Sequence, residues 1–262
     1  MNILNEIALC TQKRINKKKE TVPLEAIKEK AKQLYRSSDF VFEKAVCKED
    51  ISFICEIKRA SPSKGMISKD FNYLQTAKEY EAAGAAAISV LTEPFYFQGS
   101  NSYLREISDS VSIPLLRKDF TVDEYMIYET KVLGANAILL ICSILNNDTL
   151  AEYIATAHDL GLSALVETHD ETEVRSALEA GAGIIGVNNR NLKTFEVDID
   201  LSKRLRQLVP EDKIFVSESG IQTPADIAEL RKIKTNAVLI GETLMRSSDK
   251  IAELKRLRGE PL

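Results

Sequence analysis

The sequence predicts a (β/α)8 barrel with an N-terminal helical extension, and three observations carry that expectation. Past residue 50 the chain repeats one rhythm: a short apolar run, a polar turn, then an amphipathic helical stretch. Such alternation calls for parallel strands joined by crossovers. Eight such units in about 200 residues suit a closed barrel. No G-x-G-x-x-G follows any of the runs, as the first turn of a doubly wound sheet would usually show.

Residues 1–262 read as one domain, with residues 1–50 forming the extension. There, Ile3–Ile15 and Pro23–Leu34 carry helical patterning, and Pro23 falls near a first turn, where proline is tolerated. The sequence leaves open whether these helices cap the barrel floor or cross its mouth. The expected strands are Phe53–Ile57, Ala86–Leu91, Ile113–Leu116, Ala137–Ile141, Ala164–Val166, Gly183–Val187, Ile214–Val216 and Ala237–Ile240. Helical patterns between them include Leu74–Ala83, Glu124–Leu133, Leu150–Leu160, Glu171–Ala180, Leu201–Leu208 and Ala225–Ile233. Gly84, Gly134, Gly161 and Gly181 follow four of these as left-handed caps. Asp170, three residues before Glu173, is the expected N-cap of its helix.

Composition narrows the function classes. A net charge of −4 gives no surface built for nucleic acid. The run Arg14-Ile15-Asn16-Lys17-Lys18-Lys19 reads as a solvated helix face. Cys10, Cys47, Cys55 and Cys142 are dispersed without zinc-ligand spacing, and three of them sit in apolar stretches as small core residues. The first residues lack a signal-peptide pattern, and no apolar run approaches the roughly 18 residues that span a bilayer. A soluble, cytoplasmic protein is the expectation.

The segment Ile54 to Gly65 carries the densest information. Alternation along a strand puts Glu56 and Lys58 on one face with Ile54, while Phe53, Cys55 and Ile57 take the other. One face therefore turns from apolar to ionic at its C-terminal end. A strand coated by helices would bury those charges, which is costly unless they are paired or used. In this fold the active site lies at the C-terminal strand ends. Polar groups collect at those ends: Lys118 on the third strand, on one face with Leu116 and Phe120, Glu167 on the fifth, Asn188 and Arg190 on the sixth, Glu218 on the seventh. Each taken singly has a plainer reading as an ion pair, a snorkelling lysine or a turn cap. Together on one rim they indicate a site.

Ser219-Gly220 and Gly241-Glu242 follow the seventh and eighth strands, where barrels bind phosphate through backbone N–H groups and a helix N-terminus. Glycine there lets the backbone approach the oxygens. Glu242 is expected to act through its N–H, and Ser61 or Ser63 to contribute from the first loop.

The motifs Glu56-Ile57-Lys58-Arg59-Ala60-Ser61-Pro62-Ser63-Lys64-Gly65, Leu116-Arg117-Lys118-Asp119-Phe120, Leu165-Val166-Glu167, Gly186-Val187-Asn188-Asn189-Arg190, Ser217-Glu218-Ser219-Gly220 and Gly241-Glu242 together resemble the indole-3-glycerol phosphate synthase family. The resemblance covers essentially the whole chain, including the leading helices that the family extends over the barrel mouth. It implies conversion of 1-(2-carboxyphenylamino)-1-deoxyribulose 5-phosphate to indole-3-glycerol phosphate, carbon dioxide and water, without cofactor or metal. By resemblance, Lys118 is the ring-closure acid and Glu167 the base in dehydration. Lys58 binds the substrate carboxylate and is a candidate second acid, and Glu56 and Glu218 hold the lysines. Asn188, Arg190 and Ser219 orient the substrate, while Phe120, Leu91 and Phe95 line an aromatic slot. The chain ends soon after the eighth unit and reads as monofunctional, with a small phosphorylated substrate as partner and a monomer, at most weakly self-associating, as the expected state.

Two alternatives stand beside this reading. A related sugar-phosphate isomerase, such as phosphoribosylanthranilate isomerase, would favour a Cys or Asp pair at strands one and five, where this chain has Glu56 and Lys58 on strand one. A non-catalytic phosphosugar-binding barrel would keep the glycine ends and have no reason to retain both lysines and both glutamates.

Overall fold

Eight parallel strands close into a barrel in the computed structural model, which describes residues 3–34, 39–68 and 70–260. The strands are β1 (Ser52–Ile57), β2 (Ala87–Leu91), β3 (Leu115–Lys118), β4 (Ala137–Ile141), β5 (Ser163–Thr168), β6 (Ile184–Asn188), β7 (Ile214–Glu218) and β8 (Ala237–Ile240). Each pairs with its sequence neighbours, and β1 closes the ring by pairing with β8, Ser52 opposite Ala237. The expected third strand is displaced by two residues: it runs over Leu115–Lys118, not Ile113–Leu116. Pro114 has no N–H to give a ladder, and its carbonyl accepts from Ile88 N as the chain enters the sheet.

The helices are α1 (Ile3–Thr21), α2 (Leu24–Gln33), α3 (Val41–Val46), α4 (Tyr73–Ala82), α5 (Asn101–Ser108), α6 (Tyr125–Val132), α7 (Asn147–Asp159), α8 (Glu171–Glu179), α9 (Asp200–Arg206), α10 (Pro224–Lys232), α11 (Glu242–Arg246) and α12 (Lys250–Arg258). The four expected glycine caps all have positive φ, and the Asp170 side chain accepts from Glu173 N at 2.9 Å.

Alternation divides the strand residues into two layers. Phe53, Cys55, Ile57, Ile88, Val90 and Ile240 pack outward under the helices, while Ile54, Leu116, Leu139, Leu165, Val216 and Leu239 fill the interior. Of the cysteines, Cys55 and Cys142 are buried, Cys10 is half-buried and Cys47 exposed, so two rather than three belong to the core.

Of the two expected helices, α1 crosses the mouth and α2 packs against α6, while a third helix covers the floor. Phe42 and Val46 of α3, a helix the sequence reading omitted, are fully buried in the interior cluster with Ala87, Ala137, Ile184 and Ala237 at the strand starts. Leu4 and Ile7 of α1 join the same cluster beside Phe120 and Ile141 at the strand ends. The basic run of α1 is largely engaged, not solvated. Arg14 binds Asp119, Lys18 reaches Glu129 Oε1 at 2.5 Å, and Lys19 reaches Asp123 Oδ2 at 2.6 Å.

Candidate active site

The rim that α1 covers holds a cavity of about 600 Å³. Register places its polar groups. Lys118 is the last residue of β3 and the Cα partner of Leu91, while Asn188 and Glu218 are partners at the ends of β6 and β7. Glu167 lies opposite Gly186 of β6, two residues before Asn188, which shares its inward face.

Lys118 Nζ donates to Glu167 Oε2 at 2.9 Å and also to Glu218 Oε2. Asn188 Nδ2 donates to the other Glu167 oxygen at 3.2 Å. Lys58 Nζ donates to Glu56 Oε1, a second lysine–glutamate pair on the same rim. All three glutamates are buried, at 4% exposure or less.

Burial works against the Lys118 charge, but the carboxylates of Glu167, Glu218 and Glu56 outweigh it and hold the ammonium form above the ordinary lysine range. Glu167 is likewise penalised by burial, yet Lys118 and His169 keep it well below the usual carboxylate range. Glu218 goes the other way. Burial pushes its carboxyl up to about 7, with Glu167 and Glu56 adding to the rise and Lys118 opposing it. Two neighbouring carboxylates thus have opposite proton affinities, the pattern that separates a base from an acid.

Glycine makes room for these groups. A Cβ at Gly186 would lie 2.4 Å from Glu218 Oε1, and one at Gly241 would lie 2.3 Å from Glu56 Oε1 and 3.1 Å from Lys58 Nζ. Gly241 is therefore required by the Glu56–Lys58 pair, a reason distinct from anion approach. Gly220 has φ +84° and faces Val197 of the following loop.

The sequence-expected residues that line the cavity are Glu56, Lys58, Ser61, Ser63, Leu91, Lys118, Phe120, Glu167, Asn188, Arg190, Glu218, Ser219, Gly220, Gly241 and Glu242. Phe95 is the exception. It is 66% exposed and does not line the cavity, whereas Phe97 does, its ring centroid 5.9 Å from that of Phe120. The buried Glu93 carboxylate explains the swap: it accepts from the N–H groups of Phe95, Tyr96 and Phe97 and folds the loop so that only Phe97 turns in.

At the pole nearest Gly220 and Gly241, the Glu242 carboxylate lies 3.9 Å from both Lys64 Nζ and Arg190 Nη2 and 3.1 Å from Arg246 Nε. This pole therefore offers two cationic side chains, Lys64 and Arg190, which also line the cavity, in addition to backbone N–H groups.

Sequence reasoning missed three further contributors. Ile3, Leu4 and Ile7 of α1 line the cavity. Arg117, pointing outward between Lys118 and Leu116, is fully buried and bonds Glu129 at 2.7 Å. His169 stands behind Glu167, with Nε2 3.3 Å from its Oε1. The apolar spacing of α1 signalled the first, and a charged residue at an outward-facing strand position signalled the second. Among the described residues no cluster of His, Cys, Asp and Glu is arranged to hold a metal ion, and no helix is long and apolar enough to cross a membrane.

Lysine ammonium groups held by buried glutamates at a barrel's C-terminal rim, with an apolar slot on one side and a cationic pole on the other, define a (β/α)8-barrel enzyme of acid–base chemistry. Comparison with known proteins gives the particular family. The indole-3-glycerol phosphate synthase family model matches residues 4–257, and the chain belongs to that family. It is 60% identical to the indole-3-glycerol phosphate synthase of Ruminiclostridium cellulolyticum, over 98% of this chain and 99% of the relative. The protein of the same description from Endomicrobium trichonymphae is 55% identical over the same shares of the two chains. Among solved structures, 3-hexulose-6-phosphate synthase superposes with a TM-score of 0.63 at 15% identity, covering 80% of this chain and 99% of that one, a likeness of fold alone.

Proposed function

We propose that the chain, acting as one cytoplasmic domain and as a monomer, converts 1-(2-carboxyphenylamino)-1-deoxyribulose 5-phosphate to indole-3-glycerol phosphate, carbon dioxide and water, with Lys118 and Glu167 at the centre of the chemistry. The observation that carries the residue roles is the position of Lys118 Nζ between Glu167 and Glu218, facing the Lys58–Glu56 pair across one cavity.

Ring closure joins the ring carbon bearing the carboxylate to the sugar ketone carbon. Negative charge grows on the ketone oxygen, and Lys118, kept as an ammonium, delivers a proton to it. Loss of carbon dioxide returns the electrons to the ring. Dehydration then needs a base for the ring proton and an acid for the departing hydroxyl. Glu167, kept as a carboxylate, is the base. Lys58 first binds the substrate carboxylate and then serves as the acid.

Glu56 and Glu218 orient the two lysines, and Asn188 fixes the Glu167 carboxylate. Leu91, Phe97 and Phe120 supply the slot for the flat ring. The phosphate takes the pole of Ser61, Ser63, Gly220, Gly241 and the Glu242 N–H, with Lys64 and Arg190 nearby. Anchoring that remote group supplies binding energy that holds the ring carbon against the ketone.

The test is indole fluorescence on mixing the chain with substrate, repeated with Lys118→Ala. The expected result is product formation by the parent and a fall in kcat of roughly 10²–10⁴ in the variant, with substrate-analogue binding within about tenfold. No indole product from the parent would refute the reaction; near-normal kcat in the variant would refute the role of Lys118. Gly220→Val should raise KM by crowding Val197 and the phosphate pole, and light scattering at working concentration checks the monomer.

A further inference from the structure

His169 is one of two histidines in the chain and links Glu167 to Glu173 in a series of titratable groups. Its backbone N–H donates to Glu173 Oε2 at 2.8 Å, and its Nδ1 lies 3.0 Å from the same oxygen. Nε2 faces Glu167 Oε1 at 3.3 Å without an aligned hydrogen bond. Glu167 Oε2 in turn accepts from Lys118 at 2.9 Å. The inner end of this series is buried, with the Glu167 side chain at 4% exposure, and the outer end reaches solvent, with His169 and Glu173 at 16% and 18%. A series of contacts therefore joins Lys118 to the outside through His169 and Glu173, neither of which lines the cavity.

The reaction proposed above has a use for such a path, and this inference rests on that reading. The substrate carboxylate leaves as neutral carbon dioxide, so each turnover consumes one proton. Dehydration gives one proton to the departing hydroxyl and recovers one from the ring carbon, and so is balanced. The proton consumed is the one Lys118 hands to the ketone oxygen in ring closure. At that moment Glu167 has collected nothing to return, and substrate fills the cavity mouth.

We propose that His169, fed through Glu173, relays a solvent proton through Glu167 to recharge Lys118 after ring closure. The imidazolium gives its Nε2 proton to Glu167 Oε1 and is left neutral, with Nδ1–H on Glu173; the ring then turns over, presents its bare nitrogen to the Glu173 side and takes up one solvent proton there, which restores the imidazolium. The Glu167 carboxyl passes its proton to the neutral Lys118 amine and becomes a carboxylate again, ready for the dehydration step. No other reactant is needed. His169 acts through Glu167 and Lys118 and is a positioning and relay residue.

The surroundings suit the role. The charged and titratable groups facing His169 are Glu167 from β5, Glu173 and Asp170 from the start of α8, and Cys142 after β4, whose thiol donates to the Glu173 carbonyl. Burial pushes that thiol up to about 12, so it remains neutral. Burial also disfavours the imidazolium, but Glu167 and Glu173 more than offset it and raise His169 to about 10. The ring is thus charged and carries a proton to give at neutral pH.

The experiment compares the parent chain with His169→Gln, His169→Asn and Glu173→Gln by steady-state and single-turnover fluorescence, with and without added imidazole buffer. Steady-state kcat should fall about tenfold or more in the His169 variants, with KM within about threefold, while the first ring closure in a single turnover keeps the parent rate. Imidazolium should restore kcat in proportion to its concentration, and Glu173→Gln should show a smaller fall of the same kind. Parent-like kcat in both His169 variants overturns the relay. So does a loss that imidazolium does not restore and that slows the first ring closure equally, since that marks a structural role. A parent chain that forms no indole product refutes the reaction itself and is read separately from the variants.

Discussion

Arg14 of α1 holds both carboxylate oxygens of Asp119 through one nitrogen, at 2.9 and 3.0 Å, and Asp119 is the residue directly after Lys118. The N-terminal helix is thereby tied to the strand end that carries Lys118. Asp119 is 1% exposed and also accepts from Thr92 Oγ1 at 2.7 Å and Phe120 N at 2.9 Å. Its charge is fully committed, and Arg14 is the partner that belongs to the covering helix.

Removing that partner leaves a buried carboxylate short of one cation. Arg14→Met should cost about 3 kcal/mol, the usual scale for breaking a buried pair. Because Leu4 and Ile7 of the same helix line the cavity, KM should rise by more than kcat falls. Thermal unfolding and steady-state kinetics check both. An unchanged melting temperature would show that the pair does not seat α1.

Glu167→Gln removes the proposed base while keeping the shape of the side chain. Ring closure should survive and dehydration should stop, so a ring-closed compound that has lost carbon dioxide but not water should accumulate. Mass spectrometry of quenched reactions detects it. A variant with neither lost activity nor that compound removes Glu167 from the mechanism.

Gly241→Ala tests the space beneath the second lysine. The new Cβ would lie 2.3 Å from Glu56 Oε1, too close for both to keep their places. Glu56 and Lys58 must move apart, and kcat should fall by about tenfold or more while the fold persists. Circular dichroism and turnover separate the two effects, and parent-like kcat would show that the Lys58–Glu56 contact is dispensable.

Acid stability follows from Glu129. Burial would raise its carboxyl, but Arg117 and Lys18 outweigh burial and hold it at about 2 against an ordinary value of 4.5. The folded state thus binds this proton less readily than the unfolded one. Its stabilisation is present above pH 4.5 and is lost as pH falls toward 2, on the order of 3 kcal/mol. Glu218, raised to about 7, has the opposite sign and loses stability as pH rises from 4.5 to 7. Melting curves from pH 3 to 8 should show Glu129→Gln flattening the acid limb and Glu218→Gln flattening the fall toward neutrality. Unaltered slopes would refute the assignment.

The barrel and most of its rim were legible because two local rules suffice. Alternation says which strand residues point inward, and the fold says which strand ends matter. Lys118, Glu167, Asn188 and Glu218 all follow from those rules. What was not legible depended on groups distant in sequence. Phe95 and Phe97 look equivalent in an aromatic loop until the Glu93 carboxylate gathers the loop's N–H groups. The six residues of α3 hold only Phe42 and Val46 as buried positions, too few for a periodicity to register. Arg14 and Asp119 are 105 positions apart, and nothing in either neighbourhood announces the other. His169 follows a conspicuous Glu167 by two residues, yet as a single histidine at a strand end it carries no pattern of its own.

The placement of α3 on the floor and α1 over the mouth has a consequence for the order in which the molecule assembles. Both seats are built from residues of many strands, and the ring that forms them is closed only when β1 meets β8, the contact of longest sequence separation in the sheet. Contacts of that kind form late, because the entropy of closing the chain must be met before they stabilise anything. Leu4, Ile7, Phe42 and Val46 therefore emerge early from the ribosome and wait, apolar and unhoused, until the last strand arrives.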